Sequence, residues 1–308
     1  MWLALGTVYV VWGSTYLAIR VMVRTVPPLL GSGVRFLLAG VVLATWVRLR
    51  RGRAATTATR RQLGAAALAG SLLVAGGNGL VSVAERHVPS GLAALIIASI
   101  PLWVVLLRVV LAGERAGRLT LVGVAAGFAG VGVLLLPGGR PAGAAFAGIA
   151  LLLVAAFCWA SGSFAAGRLA LPADLLYASG VQMVAGGATS LVLGLAAGEL
   201  GDVHLSRVSN ASFAAFAYLV VVGSLVAFTA YAYALQNAPI SKVSTYAFVN
   251  PVIAVFLGWA ILSEDVRPTM LAGAAIIVAS VASIVRGEGR PRPRPDPAAE
   301  VAAVKAAG

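Results

Sequence analysis

The sequence predicts an all-α membrane protein of ten transmembrane helices arranged as two inverted five-helix repeats. Three observations lead there: apolar runs of membrane-spanning length, a self-similarity at a shift of about 150 residues, and an odd number of runs in each half. The solvent is set by composition. Apolar residues make up 60% of the chain, charged residues 11%, and the mean hydropathy is +0.95, too few charges to cover a water-soluble domain. Continuous apolar length, rather than alternation with period two, argues against a membrane β-barrel.

Each helix needs roughly 20 apolar residues to cross the hydrocarbon core. The first run, Trp2–Ile19, lacks the basic leader and small-residue cleavage site of a signal peptide and carries Trp12, Ser14, Thr15 and Tyr16, so it is read as a mature helix. Leu29–Val47 follows Pro27-Pro28 and holds Arg35 about six residues in. Leu63–Ala84 contains Gly77-Asn78-Gly79, and Ser90–Val110 contains Pro101. Leu119–Leu136 carries Gly123 and Gly127, a small-residue spacing suited to helix packing within the chain or to a dimer face. The second half repeats the scheme with Ala145–Phe164, Leu175–Ala197, Ser212–Tyr233, Val243–Leu262 and Met270–Val285. The domains are thus residues 1–137 and 145–285, followed by a Pro-rich stretch, 286–308, read as a disordered cytoplasmic tail.

Orientation follows from lysine and arginine in the loops. With both termini cytoplasmic, sixteen fall inside, among them Arg48, Arg50, Arg51, Arg53, Arg60, Arg61, Arg168 and Lys242. Six fall outside: Arg20, Arg24, Arg86, Arg140, Arg207 and Arg267. The formal charge of +13 is therefore a topology signal; the arginines sit in short linkers, not on one basic helical face, so no nucleic-acid partner is expected. The one cysteine, Cys158, excludes a disulfide framework and a cysteine metal quartet, and no metal or cofactor is expected.

The repeat is explicit in the letters. A shift of 150 places Val88-Pro89 on Ala238-Pro239, Pro101 on Pro251, Glu114 on Glu264 and Gly123 on Gly273. A shift of 147 places Trp12 on Trp159, Ser14 on Ser161, Ser32-Gly33-Val34-Arg35 on Ser179-Gly180-Val181-Gln182, and Gly40 on Gly187. Five helices per half force the second half to enter from the opposite face, and exchanging the conformations of the halves then converts an inward-open state into an outward-open one.

Trp12-Gly13-Ser14-Thr15-Tyr16, Arg20, Pro27-Pro28 and Arg35-Phe36 resemble the opening of EamA-type members of the drug/metabolite transporter superfamily. Gly77-Asn78-Gly79, Pro89-Ser90-Gly91, Ile100-Pro101, Gly113-Glu114, Val249-Asn250-Pro251 and Ser263-Glu264 are similar to that family's repeated pattern. The second half departs from it at Ser263, where glycine is usual, and at Lys242. The resemblance covers both halves and is greatest to inner-membrane exporters of drugs or amino-acid metabolites. It implies ten helices, a central cavity, secondary-active efflux of small solutes and a cell-membrane location.

Polar groups at membrane depth are costly unless used, which makes them the first candidates. Arg35 is either a counter-charge for an anionic or zwitterionic substrate or a snorkelling side chain. Asn78 either holds a local unwinding and binds substrate or bonds a neighbouring helix, and Asn250 poses the same choice. Trp12, Tyr16, Trp159 and Ser163 suit a cavity wall or an interfacial belt, and Gln182 is the counterpart of Arg35. Tyr231, Tyr233 and Tyr246 read as belt residues. Pro101 and Pro251 are expected to kink the fourth and ninth helices as a pair. Glu114 and Glu264 are expected to cap helix ends or pair with arginines such as Arg118 and Arg267. Among carboxylates, Glu85 at the end of the third helix is the nearest candidate for proton coupling.

No HExxH, GxSxG or P-loop pattern is present, and His87 and His204 lie far apart, so an enzyme is not expected. Nor is there a repeated filter sequence of a channel. The alternatives that stay open are a lipid flippase or scramblase and a facilitative, uncoupled metabolite carrier.

Overall fold

The structure is a computed structural model that describes residues 1–135, 146–237, 243 and 245–288. Ten helices follow one another in it: α1 Trp2–Met22, α2 Pro28–Ala55, α3 Arg60–Ala84, α4 Ser90–Ala112, α5 Arg118–Leu135, α6 Phe146–Ala166, α7 Leu175–Ala196, α8 (in three pieces, Asn210–Tyr218, Leu219–Val226 and Ala227–Asn237), α9 Tyr246–Leu262 and α10 Pro268–Glu288. Among the described residues there is no strand, and nine of the helices are long and apolar enough to cross a membrane; α9 is the shorter, apolar tenth. Large apolar side chains such as Leu38, Val42, Trp46, Phe256 and Trp259 stand exposed on the outer surface, as lipid-facing residues do.

Several boundaries move. Helix α2 continues to Ala55, so Arg48, Arg50, Arg51 and Arg53 ride on a helical extension rather than a loop; it is interrupted at Gly52, whose φ of 79° only glycine adopts freely. Helix α10 runs through Arg286 to Glu288, three residues into the stretch read as a disordered tail. The remainder of that tail, Arg140, Ala238-Pro239 and Lys242 lie outside the described residues.

The helix ends show why the chain turns where it does. Thr59 and Gln62 form a reciprocal capping box at the start of α3. Asp174 caps α7 by accepting from the backbone N–H groups of Leu176 and Tyr177. The equivalent start of α2 has Pro27 where α7 has Asp174, and the acceptor comes from the other half of the chain: Glu199 takes the N–H groups of Leu29 and Leu30 at 3.2 and 2.9 Å. Helices α4 and α9 end alike. Gly113 and Ser263 are both left-handed, with φ of 63° and 54°, and the N–H groups of Glu114 and Glu264 donate six residues back to Arg108 and Gly258. Ser263 thus holds the backbone that glycine favours, at a cost of about 1 kcal/mol or more.

Contacts between the halves are reciprocal. Gly33 packs on Gly187 and Gly40 on Gly180 where α2 crosses α7, so a Cβ on Gly40 would stand 2.7 Å from the Gly180 carbonyl and one on Gly187 2.9 Å from that of Gly33. Where α5 meets α10, a Cβ on Gly123 would stand 3.3 Å from the Ser280 carbonyl and one on Gly273 3.1 Å from that of Gly130. Ser280 also donates to the Gly123 carbonyl. Gly123, Gly127 and Gly130 of α5 are therefore spent on packing inside the chain. Both α3 and α8 widen into π-helix at matching places, Ser71–Gly79 and Leu219–Val226. Asn78 accordingly sits in a π-helical stretch, not in an unwound one. The two prolines do not act as a pair. The helix of α4 stops at Ile97 and restarts at Ile100, just before Pro101, whereas α9 passes through Pro251 without interruption.

At the ends of α4 and α9 the two glutamates do different things. Glu114 accepts from Arg108 at 2.8 Å and from Arg168, not from Arg118. Glu264 accepts from the N–H and hydroxyl of Ser90 and from the N–H of Gly91, at 2.8 to 3.0 Å, while Arg267 pairs with Asp265. The hydrogen bond and charge of Arg108, aided by Arg168, hold the Glu114 carboxyl below the usual range. A carboxyl so lowered stabilises the fold above the unfolded pKa of about 4.3 and loses that contribution as pH falls through the folded value. Thermal melts in detergent are therefore expected to show an acid-side drop below about pH 4.3 that Glu114→Gln makes shallower; an unchanged drop would exclude this pair as a source of acid sensitivity.

Candidate functional site

A cavity of about 900 Å³, counting the part open to solvent, lies where α1, α2, α3, α4, α6, α8 and α9 converge. On α1, Trp12, Tyr16 and Ile19 recur at helical spacing on one face and all three line it. The π-helical stretch of α3 presents Asn78 to it; Gly77 there leaves room for the Trp159 ring, which a Cβ would meet at 2.6 Å. The interruption of α4 contributes Ile97, Ala98, Ile100 and Pro101, and α9 contributes Tyr246, Ala247, Asn250 and Pro251.

Arg35 is 3% exposed and lines the cavity, so it does not snorkel to the surface. Its Nε donates to Ser224 Oγ at 3.0 Å, its guanidinium lies 4.4 Å from the Phe36 ring centroid, and a Cβ on Gly223 would stand 3.3 Å from its Nη2. No carboxylate among the described residues pairs with it, and none lines the cavity. Asn250, its amide turned to donate, bonds the carbonyls of Tyr9 and Tyr246 at 3.2 Å, so it ties α1 to α9 as well as facing the cavity.

Of the residues singled out from sequence, Trp12, Tyr16, Arg35, Asn78, Trp159 and Asn250 come together around this space, with Pro101 and Pro251. Ser163 and Gln182 are not in its lining. They are the repeat counterparts of Tyr16 and Arg35, and the cavity is displaced along the bundle toward Tyr16 and Arg35. Tyr246 and Tyr231 are not belt residues: with Phe228 they surround the Trp12 ring at centroid distances of 5.0 to 5.4 Å. Tyr233, half exposed, keeps the belt reading. Phe228 and Tyr246 each had a signal that went unused. Phe228 is the counterpart of Asn78 under the shift of 150, and Tyr246 lies one helical turn before Asn250. Glu85 lies outside the cavity, one residue beyond the span of α3, with no exposure and no hydrogen-bond partner on either carboxyl oxygen.

The match to known proteins decides the family. The model of the EamA-like transporter family matches residues 1–136 and again 146–286. The chain belongs to the EamA-like transporter family. As an EamA-like protein it is 37% identical over 287 residues to the uncharacterized inner membrane transporter YedA of Escherichia coli, covering 92% of this chain and 90% of that one. It is 30% identical over 292 residues to a protein of Streptantibioticus cattleyicolor named a probable terminal-alkyne amino-acid exporter, covering 92% of each. A solved crystal structure of another protein, 19% identical, shares the fold with a TM-score of 0.62 over 92% of this chain and 96% of the other. The two matched segments divide this EamA-like transporter where the five-helix halves divide.

Proposed function

We propose that this EamA-like protein is a secondary transporter that exports small solutes, metabolites, amino acids or drugs among them, by alternating access, and that its preferred cargo carries a carboxylate on an apolar or aromatic body. The observation behind the cargo is Arg35: a buried guanidinium that, among the described residues, is hydrogen-bonded only through Nε, in a cavity whose other walls are aromatic, aliphatic, hydroxyl or amide. Burying such a cation without a counter-charge is costly, and a substrate carboxylate would supply one, with its body against Trp12, Trp159 and Tyr246. Asn78 and Asn250 would orient its polar end.

The alternating-access reading rests on the repeat, residues 1–137 and 145–285. Five helices in each half, reciprocal glycine contacts and matched π-helical stretches fit two halves related by an axis in the membrane plane. Positive residues favour cytoplasmic termini, which puts Arg20 and Glu85 on the outer side. Export, in the cell or inner membrane, rests on the family resemblance and on relatives carrying the names of an inner membrane transporter and an amino-acid exporter. Coupling to protons would run through Glu85.

The test is flux into proteoliposomes of labelled phenylalanine and its methyl ester, with and without a pH gradient. Saturable, protein-dependent flux of the acid well above the ester is expected. Equal flux of acid and ester would remove the carboxylate from the reading, and acid flux indifferent to the gradient would make the protein a facilitative carrier. Lipid scrambling with no solute flux would make it a flippase or scramblase.

A further inference from the structure

At one end of the molecule a carboxylate of the second half caps a helix of the first. Glu264, in the connection between α9 and α10, covers the N-terminus of α4 by accepting from Ser90 N, Ser90 Oγ and Gly91 N. Room for it is made by Gly258, where a Cβ would overlap the Glu264 carboxylate and stand 2.9 Å from Ser90 Oγ. Beside this contact lies Glu85, wholly buried, both carboxyl oxygens without a partner, and near enough to Glu264 to feel its charge. An unpaired carboxylate in so dry a place is held as the neutral acid.

We propose that Glu85 is a proton-binding site that makes this contact an outer gate: with its proton the carboxyl packs neutrally beside Glu264 and the gate closes, and loss of the proton drives the two glutamates apart and opens it. The inference rests on the transporter reading and supplies its coupling step. Burial pushes the Glu85 carboxyl well above the ordinary carboxylate range, the charge of Glu264 pushes it further, and Arg20 opposes both. Arg20, from α1, donates to the Glu85 backbone carbonyl and leaves the carboxyl oxygens unpaired. Tyr16, one helical turn before Arg20 on α1, lines the cavity, so α1 carries both a contact to Glu85 and a wall of the solute site. The exposed Arg86 and His87 follow on the same connection, and α6, packed against this end, offers no ionisable group before Cys158. No covalent step is involved: the proton arrives from water, sits on Glu85 and returns to water when the gate wets.

The linkage has a definite sign. The closed gate binds the proton more tightly than the open one, so closure is favoured as pH falls and opening as pH rises. The test uses the full chain with Cys158→Ser and spin labels at His87→Cys and Asp265→Cys, one on each side of the contact, with distances read by pulsed electron resonance from pH 5 to 9 without substrate. A short-distance population at low pH giving way to a longer one as pH rises is expected. In Glu85→Gln, an isostere of the protonated acid that fits the same space, the short distance should persist at every pH. In Glu264→Gln, which removes the repelling charge, the transition should move to higher pH. A pH response surviving in Glu85→Gln, or none in the parent, would overturn the proposal. Because no solute is present, that outcome is separable from failure of the transporter reading, which the flux assay decides alone.

Discussion

Replacing Arg35 by glutamine is expected to lower carboxylate flux at least about 30-fold at subsaturating concentration while leaving the ester nearly unaffected. Losing one member of a buried, hydrogen-bonded charge pair costs about 2–5 kcal/mol, and each 1.4 kcal/mol is tenfold in affinity. Here the partner would be the cargo, because among the described residues the guanidinium has Ser224 Oγ and the Phe36 ring and no carboxylate. Glutamine keeps a donor for Ser224 and most of the volume, so the helices need not shift. Flux of the two labelled compounds in proteoliposomes, normalised to protein, reads the ratio. Equal loss for acid and ester would mean that Arg35 organises α2 against α8 instead of meeting the cargo. Unchanged flux for both would leave the buried cation without a part in transport.

The largest effect on stability is expected where α3 crosses α7. A Cβ on Gly70 would sit on the Gln182 carbonyl, and one on Gly186 would sit on that of Gly70, so backbone meets backbone from both sides with no flexible side chain to yield. Gly70→Ala must therefore push α7 away from α3, the helix that carries Gly77, Asn78 and Val81 of the cavity wall. Overpacking costs typically 1–3 kcal/mol, and this site belongs at the upper end; for a chain of this size that lowers Tm by roughly 3–5 °C. Gly64→Ala, on the same helix with nothing within 4 Å of its Cβ, is the control, and the better helix former should leave Tm unchanged or slightly higher. Thermal denaturation in detergent distinguishes them, and equal melting points would mean that the crossing loosens at no cost.

Long-range pattern was the legible part of this molecule. Ten apolar runs and the paired Trp12/Trp159 and Pro101/Pro251 are visible because hydrophobic length and repetition are written in consecutive letters. What depends on contacts between distant segments was not. The acceptors for the N-termini of α2 and α4 lie about 170 residues away, as Glu199 and Glu264, so the partners of Glu264 were misjudged. Helix faces were also hidden by uniform apolarity: with so little polar contrast, nothing in the letters turned Ser163 away from the cavity. The unequal behaviour of Pro101 and Pro251 follows from their surroundings. Pro101 stands just after a break already made at Ala98 and Ser99, whereas Pro251 lies in the second turn of α9, where it frees the Ala247 carbonyl without ending the helix.

The cap supplied to α2 by Glu199 acquires a meaning when the chain is followed in time from the ribosome. The second half arrives with Asp174 two residues before Leu176 and can finish the start of α7 at once. The first half has Pro27 at that place. Leu29, Leu30, Ser90 and Gly91 present four backbone N–H groups whose acceptors, Glu199 and Glu264, are translated roughly 170 residues later. An amino-terminal half released alone would thus reach the bilayer as an unfinished object, and a co-produced carboxy-terminal half would complete it. The order of synthesis makes the early half the dependant and the late half its finisher, even though the two share one architecture.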